Sequence, residues 1–346
     1  MHLCALSERV PRLFPSLAIR RGIFISGAST ETITSRIDEV TRIPSEFLHP
    51  VLPAPKSVKI ELTNRCNFAC SYCGIRGREK AGKQDIDFDF FKRATQEMRD
   101  AGVEEIGLFY IGESTLSPAL LVSALRHCKA IGFPYVFLTT NGSLLTPMLA
   151  GELMAEGLDS LKFSINAATP EQFREVMGVK PLLFSKALAN LQAAFRMRNE
   201  NGYRTRIYAS SIRFSGEQQE RMERLLEAHV KPFVDQHYWL PLFNEMQSPL
   251  AEANLARGWS ANGGNQGRLE SLRDPLPCWA VFREGHVRVD GGLSACCFGS
   301  DGKFDMGNLN DKPFMEAWNS PKFQALREKH LSGDVRGTVC EECIHG

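Results

Sequence analysis

The sequence has no surplus of charge of either sign: 41 lysines and arginines face 40 aspartates and glutamates, leaving a net charge of +1. A near-neutral chain carries no electrostatic footprint for nucleic acid or for an anionic membrane surface. It also lacks any run of about 18 apolar residues, so no membrane span is expected. The opening stretch, "MHLCALSERVPRLFPSLAIRRGIFISGAST", mixes arginines with apolar residues, and Pro11 and Pro15 interrupt its one apolar candidate. No secretory signal is read there; an N-terminal helix or arm is expected. No internal repeat is visible. What remains is ordinary globular material, 346 residues of which 43% are hydrophobic and 23% charged. That suffices for one large α/β domain with a smaller appendage.

Cysteine is where the composition departs from the ordinary. Ten occur, at positions 4, 66, 70, 73, 128, 278, 296, 297, 340 and 343, and eight of them fall in two sectors, 66–73 and 278–343. Secreted disulfide frameworks belong to short chains with a signal peptide. Clustered cysteines in a large chain without one point to metal or iron–sulfur ligation in a reducing compartment, so a cytoplasmic location is expected. Cys4 and Cys128 read as packing residues.

Residues 1–55 show little periodicity and end in the proline-punctuated "HPVLPAPK". From residue 56, apolar runs alternate with amphipathic stretches. Strands are expected over 57–63, 105–112, 135–140, 160–165, 206–212 and 234–240. Helices are expected over 88–102, 118–131, 146–156, 181–199 and 216–229. Six successive β/α units imply a parallel sheet with right-handed crossovers, here a partial (β/α)6 TIM-like barrel. The polar, Gly/Asn-rich segment 244–275 reads as a connection between the barrel at 56–243 and a small C-terminal domain at 276–346. That domain holds a β-hairpin turning at Asp290-Gly291-Gly292, a helix over 313–330 and a final C-x2-C.

In "ELTNRCNFACSYCGIRG", residues 61–77, Cys66, Cys70 and Cys73 follow the first expected strand. Ligands of parallel α/β sheets bind beyond the carboxyl ends of the strands, so this loop lies on the functional rim. Thiolates suit iron–sulfur clusters or zinc. A structural zinc site wants a fourth ligand nearby, and the nearest downstream histidine is His127. Three thiolates on a cubane leave one iron open to a small molecule.

The C-x3-C-x2-C run resembles the signature of the radical S-adenosylmethionine (SAM) superfamily. The resemblance implies that Cys66, Cys70 and Cys73 hold a [4Fe–4S] cluster whose fourth iron is chelated by SAM. An electron from that cluster, delivered by a flavodoxin- or ferredoxin-type donor, then cleaves SAM to methionine and a 5′-deoxyadenosyl radical that takes a substrate hydrogen. Further segments are similar to family motifs. "FYIGES" (109–114) matches a GGEP-like turn at Gly112 and Glu113, with Ile111 and Ser114 in the flanking positions. "TTNG" (139–142) places Asn141 and Gly142 at the rim. "FSINAATPEQFREVMG" (163–178) resembles the S-x-D-G…R segment, with Asn166-Ala167 where the family shows Asp-Gly. The resemblance assigns Ser164 and Asn166 to the ribose or carboxylate of SAM and Arg174 to the methionine carboxylate. It assigns the Tyr72 backbone to adenine and makes Ser210 a further contact.

The second cysteine group admits a zinc ribbon on spacing alone. Read as Cys278, Gly292 and Cys297 followed by C-x2-C, it resembles the auxiliary-cluster region called SPASM or Twitch. The seven cysteines of a full SPASM region are not here, which implies the shortened form with one auxiliary [4Fe–4S] cluster on Cys278, Cys297, Cys340 and Cys343. Adjacent Cys296 and Cys297 cannot both face one cluster from a regular strand. The spacing selects Cys297, leaving Cys296 as a buried small hydrophobe or a hydrogen-atom donor to a substrate radical.

An auxiliary cluster held by four thiolates has no open site, so its expected role is passing an electron. The expected reaction is two-electron oxidation, or epimerisation, of a small polar metabolite such as a sugar or aminocyclitol. The alternative is modification of a ribosomally made peptide, disfavoured because residues 1–55 are short for a leader-binding module. A non-enzymatic iron–sulfur or zinc scaffold is the third reading. Tyr110, Arg213, His237, Tyr238 and Trp239, all near expected strand ends, are the candidate substrate-pocket residues.

Overall fold

A computed structural model describes residues 32–73, 84–241, 265–298 and 302–345. The expectations for residues 1–31, Cys4 among them, and for most of the connection at 244–264 lie outside these residues. A short helix, α1 (Ile33–Val40), is capped by the Thr32 side chain. The β/α succession follows as β1 (Ser57–Ile60), α2 (Phe88–Asp100), β2 (Glu105–Gly107), α3 (Pro118–Ala130), β3 (Tyr135–Thr140), α4 (Pro147–Ala155) and β4 (Ser160–Ser164). It continues through α5 (Pro170–Met177), α6 (Leu182–Asn201), β5 (Arg206–Ile212), α7 (Gly216–Leu225) and β6 (Gln236–Leu240). Local chemistry sets these boundaries. Asp87, Thr146 and Thr169 accept from the first-turn amides of α2, α4 and α5, and proline opens α4 and α5. Gly178 and Gly202 end α5 and α6 in the left-handed conformation.

Strands β1 to β6 pair in parallel, each with the next, and β1 and β6 do not pair with each other, so the sheet is an open partial barrel. Their residues are largely buried, as befits strands covered by helices outside and side chains inside. Three local differences from the sequence reading have physical causes. Strand β2 stops at Gly107: after Leu108, whose N–H still donates to Phe137, residues 109–111 turn away to reach Gly112. Helix α5, not expected, forms once Thr169 caps it. The helix expected over 313–330 is two, broken where Ser320 caps the second and Pro321 opens it.

After α8 (Ala280–Arg283), strand β7 (Glu284–Val287) pairs in parallel with β1 on the side away from β2, with Ser57 opposite Glu284 and Ile60 opposite Val287. The hairpin expected at Asp290-Gly291-Gly292 is present: β8 (Gly292–Ser294) runs antiparallel to β7, and β9 (Asp305–Asn308) to β8. Gly291 adopts φ +85°, and a Cβ there would lie 2.4 Å from Asn310. Helices α9 (Phe314–Trp318), α10 (Pro321–Leu331) and α11 (Glu341–His345) complete the chain. The sheet therefore runs without interruption from β6 through β1 to β9.

The proline-rich segment before β1 is docked rather than loose. Asn319 exchanges two hydrogen bonds with the Leu52 backbone, at 2.9 and 2.8 Å. Trp318 donates to the Pro53 carbonyl at 2.9 Å, and Arg327 to Pro50 at 2.9 Å. The Arg327 guanidinium lies 4.3 Å and 4.0 Å from the ring centroids of Trp318 and Phe323. At the amino ends of the strands, α1 closes the barrel: Arg36 pairs with Glu105 and stacks 3.6 Å over the Tyr135 ring, and Arg268 grips both oxygens of Asp38. Among the described residues no helix is long and apolar enough to cross a membrane.

Candidate active site

The cysteine loop leaves the carboxyl end of β1 and is moored on its neighbours. The N–H groups of Ala69 and Ser71 donate to the last-turn carbonyls of α5, Met177 and Val176, at 2.9 and 2.8 Å. These are carbonyls that a helix end cannot satisfy internally. Phe68 packs edge-on against Phe173 of α5 at 5.2 Å, and Cys70 Sγ lies 3.3 Å from Met177 Sδ. No described cysteine forms a disulfide. Burial, then the nearby Glu113 carboxylate, pushes the Cys66 thiol up to about 12, so a thiolate there needs positive charge beside it.

The turns after β2, β3 and β4 converge on this loop. Gly112 lies so close to it that a Cβ would fall 1.9 Å from the Thr63 carbonyl oxygen. Glu113 is buried, and the chain holds its carboxylate: Oε1 accepts from Thr115 N, Thr115 Oγ1 and Thr140 Oγ1, and Oε2 accepts from Asn141 N. Three of the four donors converge on Oε1 and one reaches Oε2, so Glu113 braces β2 to β3. Asn141 donates to Asn67 at 2.9 Å and accepts from Ser143, tying β3 to the loop between Cys66 and Cys70. Asn166 donates to the Tyr72 hydroxyl at 2.7 Å and accepts from the Ile212 amide at 2.9 Å, tying β4, β5 and the loop. Ser164 and Ser210 stand opposite each other at the carboxyl ends of β4 and β5. Arg174 is exposed on α5 and has no ion pair among the described residues.

Beneath the rim, the barrel encloses a cavity of about 250 Å³, walled by inward residues of β1–β4, β6 and β7 and floored by α1. Alternation decides which candidates face it. Tyr238 lines the cavity, whereas its neighbours His237 and Trp239 point to the other side of β6, the two rings packed edge-on 5.0 Å apart. His237 hydrogen-bonds Ser211 Oγ at 3.0 Å, and burial lowers its pKa to about 4. Arg213 is exposed, and Tyr110 instead donates to the Cys296 carbonyl at 2.8 Å. Sequence reasoning missed the charged lining. Lys59 binds Glu284 at 2.8 Å, His286 binds the same oxygen at 3.0 Å, and Lys162 donates to the Tyr238 hydroxyl at 3.0 Å. The signal was a lysine inside each of two apolar strands, "SVKI" and "SLKFS".

A second, smaller cavity is lined by Cys278, Cys296, Cys340 and Cys343, with His330 and Phe304. Cys278 N donates to His330 Nδ1 at 3.2 Å, and burial, with Cys343 and Cys297 nearby, pushes the Cys278 thiol up to about 11. Cys297 lines the barrel cavity instead, where Asn265 donates to its sulfur at 3.4 Å. Strand β8 ends at Ser294, and the turn after it sends Cys296 to the small cavity and Cys297 to the large one. The G-x4-C half of the spacing motif fits Gly291 to Cys296 as well as Gly292 to Cys297, and only the count from Cys278 separates them. Among the described residues no group of three or more His, Cys, Asp or Glu is arranged to hold a single metal ion. Two reduced, cysteine-rich sites of this kind fit thiolate-ligated clusters.

Residues 60–227 match the radical SAM superfamily model, and residues 278–344 match an iron–sulfur cluster-binding domain of the SPASM type. The chain belongs to the radical SAM superfamily and carries a C-terminal auxiliary-cluster domain. It is an enzyme of that class, whose cofactors are a [4Fe–4S] cluster, SAM and an auxiliary iron–sulfur cluster. It is 27% identical to the mycofactocin maturase MftC of Mycobacterium ulcerans across 88% of this chain and 84% of that protein. It is 35% identical to a probable GTP 3′,8-cyclase of Sulfolobus acidocaldarius over 139 residues, and the match spans 42% of the cyclase. Among solved structures it is similar to Streptococcus suis SuiB bound to S-adenosylmethionine, with TM-score 0.59, 14% identity, and coverage of 81% of this chain and 69% of SuiB. SuiB bound to the precursor peptide SuiA matches at TM-score 0.58 and 16% identity, covering 81% and 68%. At those identities the likeness is one of fold.

Proposed function

We propose that this radical SAM enzyme acts on a ribosomally made peptide, removing a hydrogen atom from one residue to leave an oxidised product. The observation that carries this reading is the coextensive similarity to a maturase, which takes in the barrel and the C-terminal cysteines together. The similarity to a cyclase stops within less than half of that relative, and the fold shared with SuiB supports only that such a barrel can admit a peptide. These comparisons favour a peptide over the sugar or aminocyclitol expected from the sequence.

Cys66, Cys70 and Cys73 would hold the first cluster, with SAM at the rim formed by Gly112, Asn141, Ser164, Asn166 and Ser210. The second set of ligands is Cys278, Cys296, Cys340 and Cys343, on the evidence of the cavity they line. When bound, the first cluster and SAM supply an electron and a carbon radical that takes hydrogen from the substrate. The chain's own part is positional. Glu113, Asn141 and Asn166 hold the loop against three strand ends, and the aromatic walls of the cavity keep water from the reacting carbon.

The test is anaerobic incubation of reduced, reconstituted protein with SAM and either a pool of short peptides or a panel of sugars and aminocyclitols. The expected result is 5′-deoxyadenosine release stimulated by peptide, with a peptide product two mass units lighter. Stimulation by the sugar panel alone would overturn the reading.

A further inference from the structure

Among the described residues, charge within the barrel cavity does not balance. Three cations line it, Arg36, Lys59 and Lys162, against two carboxylates, Glu105 and Glu284. Both carboxylates are already engaged: Glu105 by Arg36 and Lys56, and Glu284 by Lys59 and His286. Burial alone would push Glu284 up, yet Lys59 and His286 hold it down at about 2, as a committed partner. Lys162 is the cation left over. Among the described residues its one hydrogen bond is the 3.0 Å contact to the Tyr238 hydroxyl, and no described carboxylate lies within ion-pair distance. The two residues come from β4 and β6 and meet across β5.

We propose that Lys162 and Tyr238 form an anion-binding subsite in the barrel, which takes a carboxylate of the substrate. The ammonium has three donors and spends one on Tyr238. That bond uses the phenolic oxygen as acceptor, leaving the phenol hydrogen free to donate. The pair therefore presents N–H and O–H donors side by side, a set that suits the two oxygens of a carboxylate. Thr139, opposite Lys162 on β3, and Ser160, two residues before it on β4, line the same wall and bring hydroxyls but no charge to compete for the ammonium. A cation in such a place is costly without a counter-charge, and a substrate carboxylate supplies it. The cavity reaches Thr139 and Leu240, at the same strand ends that carry the cysteine loop, so a carboxylate held at Lys162 would leave the adjoining carbons near the rim. The subsite stands on this geometry. That its carboxylate belongs to a peptide, as its C-terminus or as an Asp or Glu side chain, rests on the proposed function.

The experiment is calorimetric titration of the reconstituted full chain with phenylacetate and phenylacetamide, then with a short acetylated peptide acid, its C-terminal amide, and an amidated peptide bearing Glu. Wild type should bind phenylacetate at least tenfold more tightly than phenylacetamide. Lys162→Met should abolish that preference and Lys162→Arg should keep part of it, with iron content unchanged in both as the control for folding. Equal binding of acid and amide by wild type, no binding of either, or a preference that survives Lys162→Met would overturn the subsite. If phenylacetate binds as expected and none of the peptides does, the subsite stands and the peptide reading fails. The amidated Glu peptide separates a side-chain carboxylate from a C-terminal one.

Discussion

The Glu113 carboxylate accepts a 2.8 Å hydrogen bond from the backbone N–H of Asn141, joining the turn after β2 to the turn after β3. Three further donors reach the other oxygen of the same carboxylate. An amide offers one oxygen where the carboxylate offers two. Glu113→Gln should therefore lose about 1–3 kcal/mol of stability and lower the melting temperature. Because this brace also carries Asn141, which is bonded to Asn67 of the cysteine loop, iron at the three-cysteine site should fall as well. Thermal unfolding with iron analysis checks both; full iron and an unchanged melting curve would count against the bracing role.

Gly112 is needed for space, not for turn geometry. A Cβ there meets the Thr63 carbonyl at 1.9 Å and the Arg65 carbonyl at 2.9 Å, and these are backbone atoms at the root of the cysteine loop. Gly112→Ala should displace that loop while leaving the C-terminal cysteines in place. Of about eight irons per chain expected for two cubanes, about four should remain. Uniform loss from both sites would instead indicate global unfolding.

The proposal that Cys296, rather than Cys297, ligates the auxiliary cluster separates cleanly in two variants. Cys296→Ser should lose the auxiliary cluster and about half the iron, whereas Cys297→Ser should retain both clusters by electron paramagnetic resonance. In the reconstituted wild type, Cys297 should be the thiol of the pair that an alkylating reagent reaches through the barrel cavity. The opposite pattern of iron loss would restore Cys297 as the ligand.

His237 supplies a pH dependence that can be read away from the clusters. Burial, and then Lys231, lowers its pKa to about 4 in the fold, against about 6.5 in an unfolded chain. The unfolded state thus takes the proton first. The stability that His237 contributes is full above about pH 6.5 and declines as pH falls toward 4, at up to about 1.4 kcal/mol per pH unit. His237→Gln should flatten that part of the curve in denaturant titrations at a series of pH values. An unaltered slope would show that the imidazole is solvated.

The succession of strands and most helices was legible because strands covered on both faces read as apolar runs, and because a Thr-Pro start marks α4 and a glycine stop marks α6; the same signals at Thr169-Pro170 and Gly178 bound α5, which was not expected. The three-cysteine loop was legible because its spacing is local. What the sequence concealed depends on the phase of a strand or on distant partners. His237, Tyr238 and Trp239 are equally plausible until the pairing of β6 with β5 fixes which of them points inward. Two consecutive glycines made Cys296 and Cys297 interchangeable in the G-x4-C half of the spacing motif. Glu113 reads as a ligand-facing acid because the four groups that occupy it are assembled only by folding.

The parallel pairing of β7 with β1 changes what the C-terminal segment is to the molecule. Val287 accepts from the Glu61 amide at 2.8 Å, so the strand that launches the cysteine loop is hydrogen-bonded on its far side by residues more than two hundred positions away. Truncation before β7 would not release a simpler single-cluster enzyme; it would bare the unpaired edge of β1 at the heart of the sheet, a template for self-association. The same ladder sets the span between the two cysteine groups by backbone register, so exchanging this segment with a relative's would succeed only where those rungs are kept.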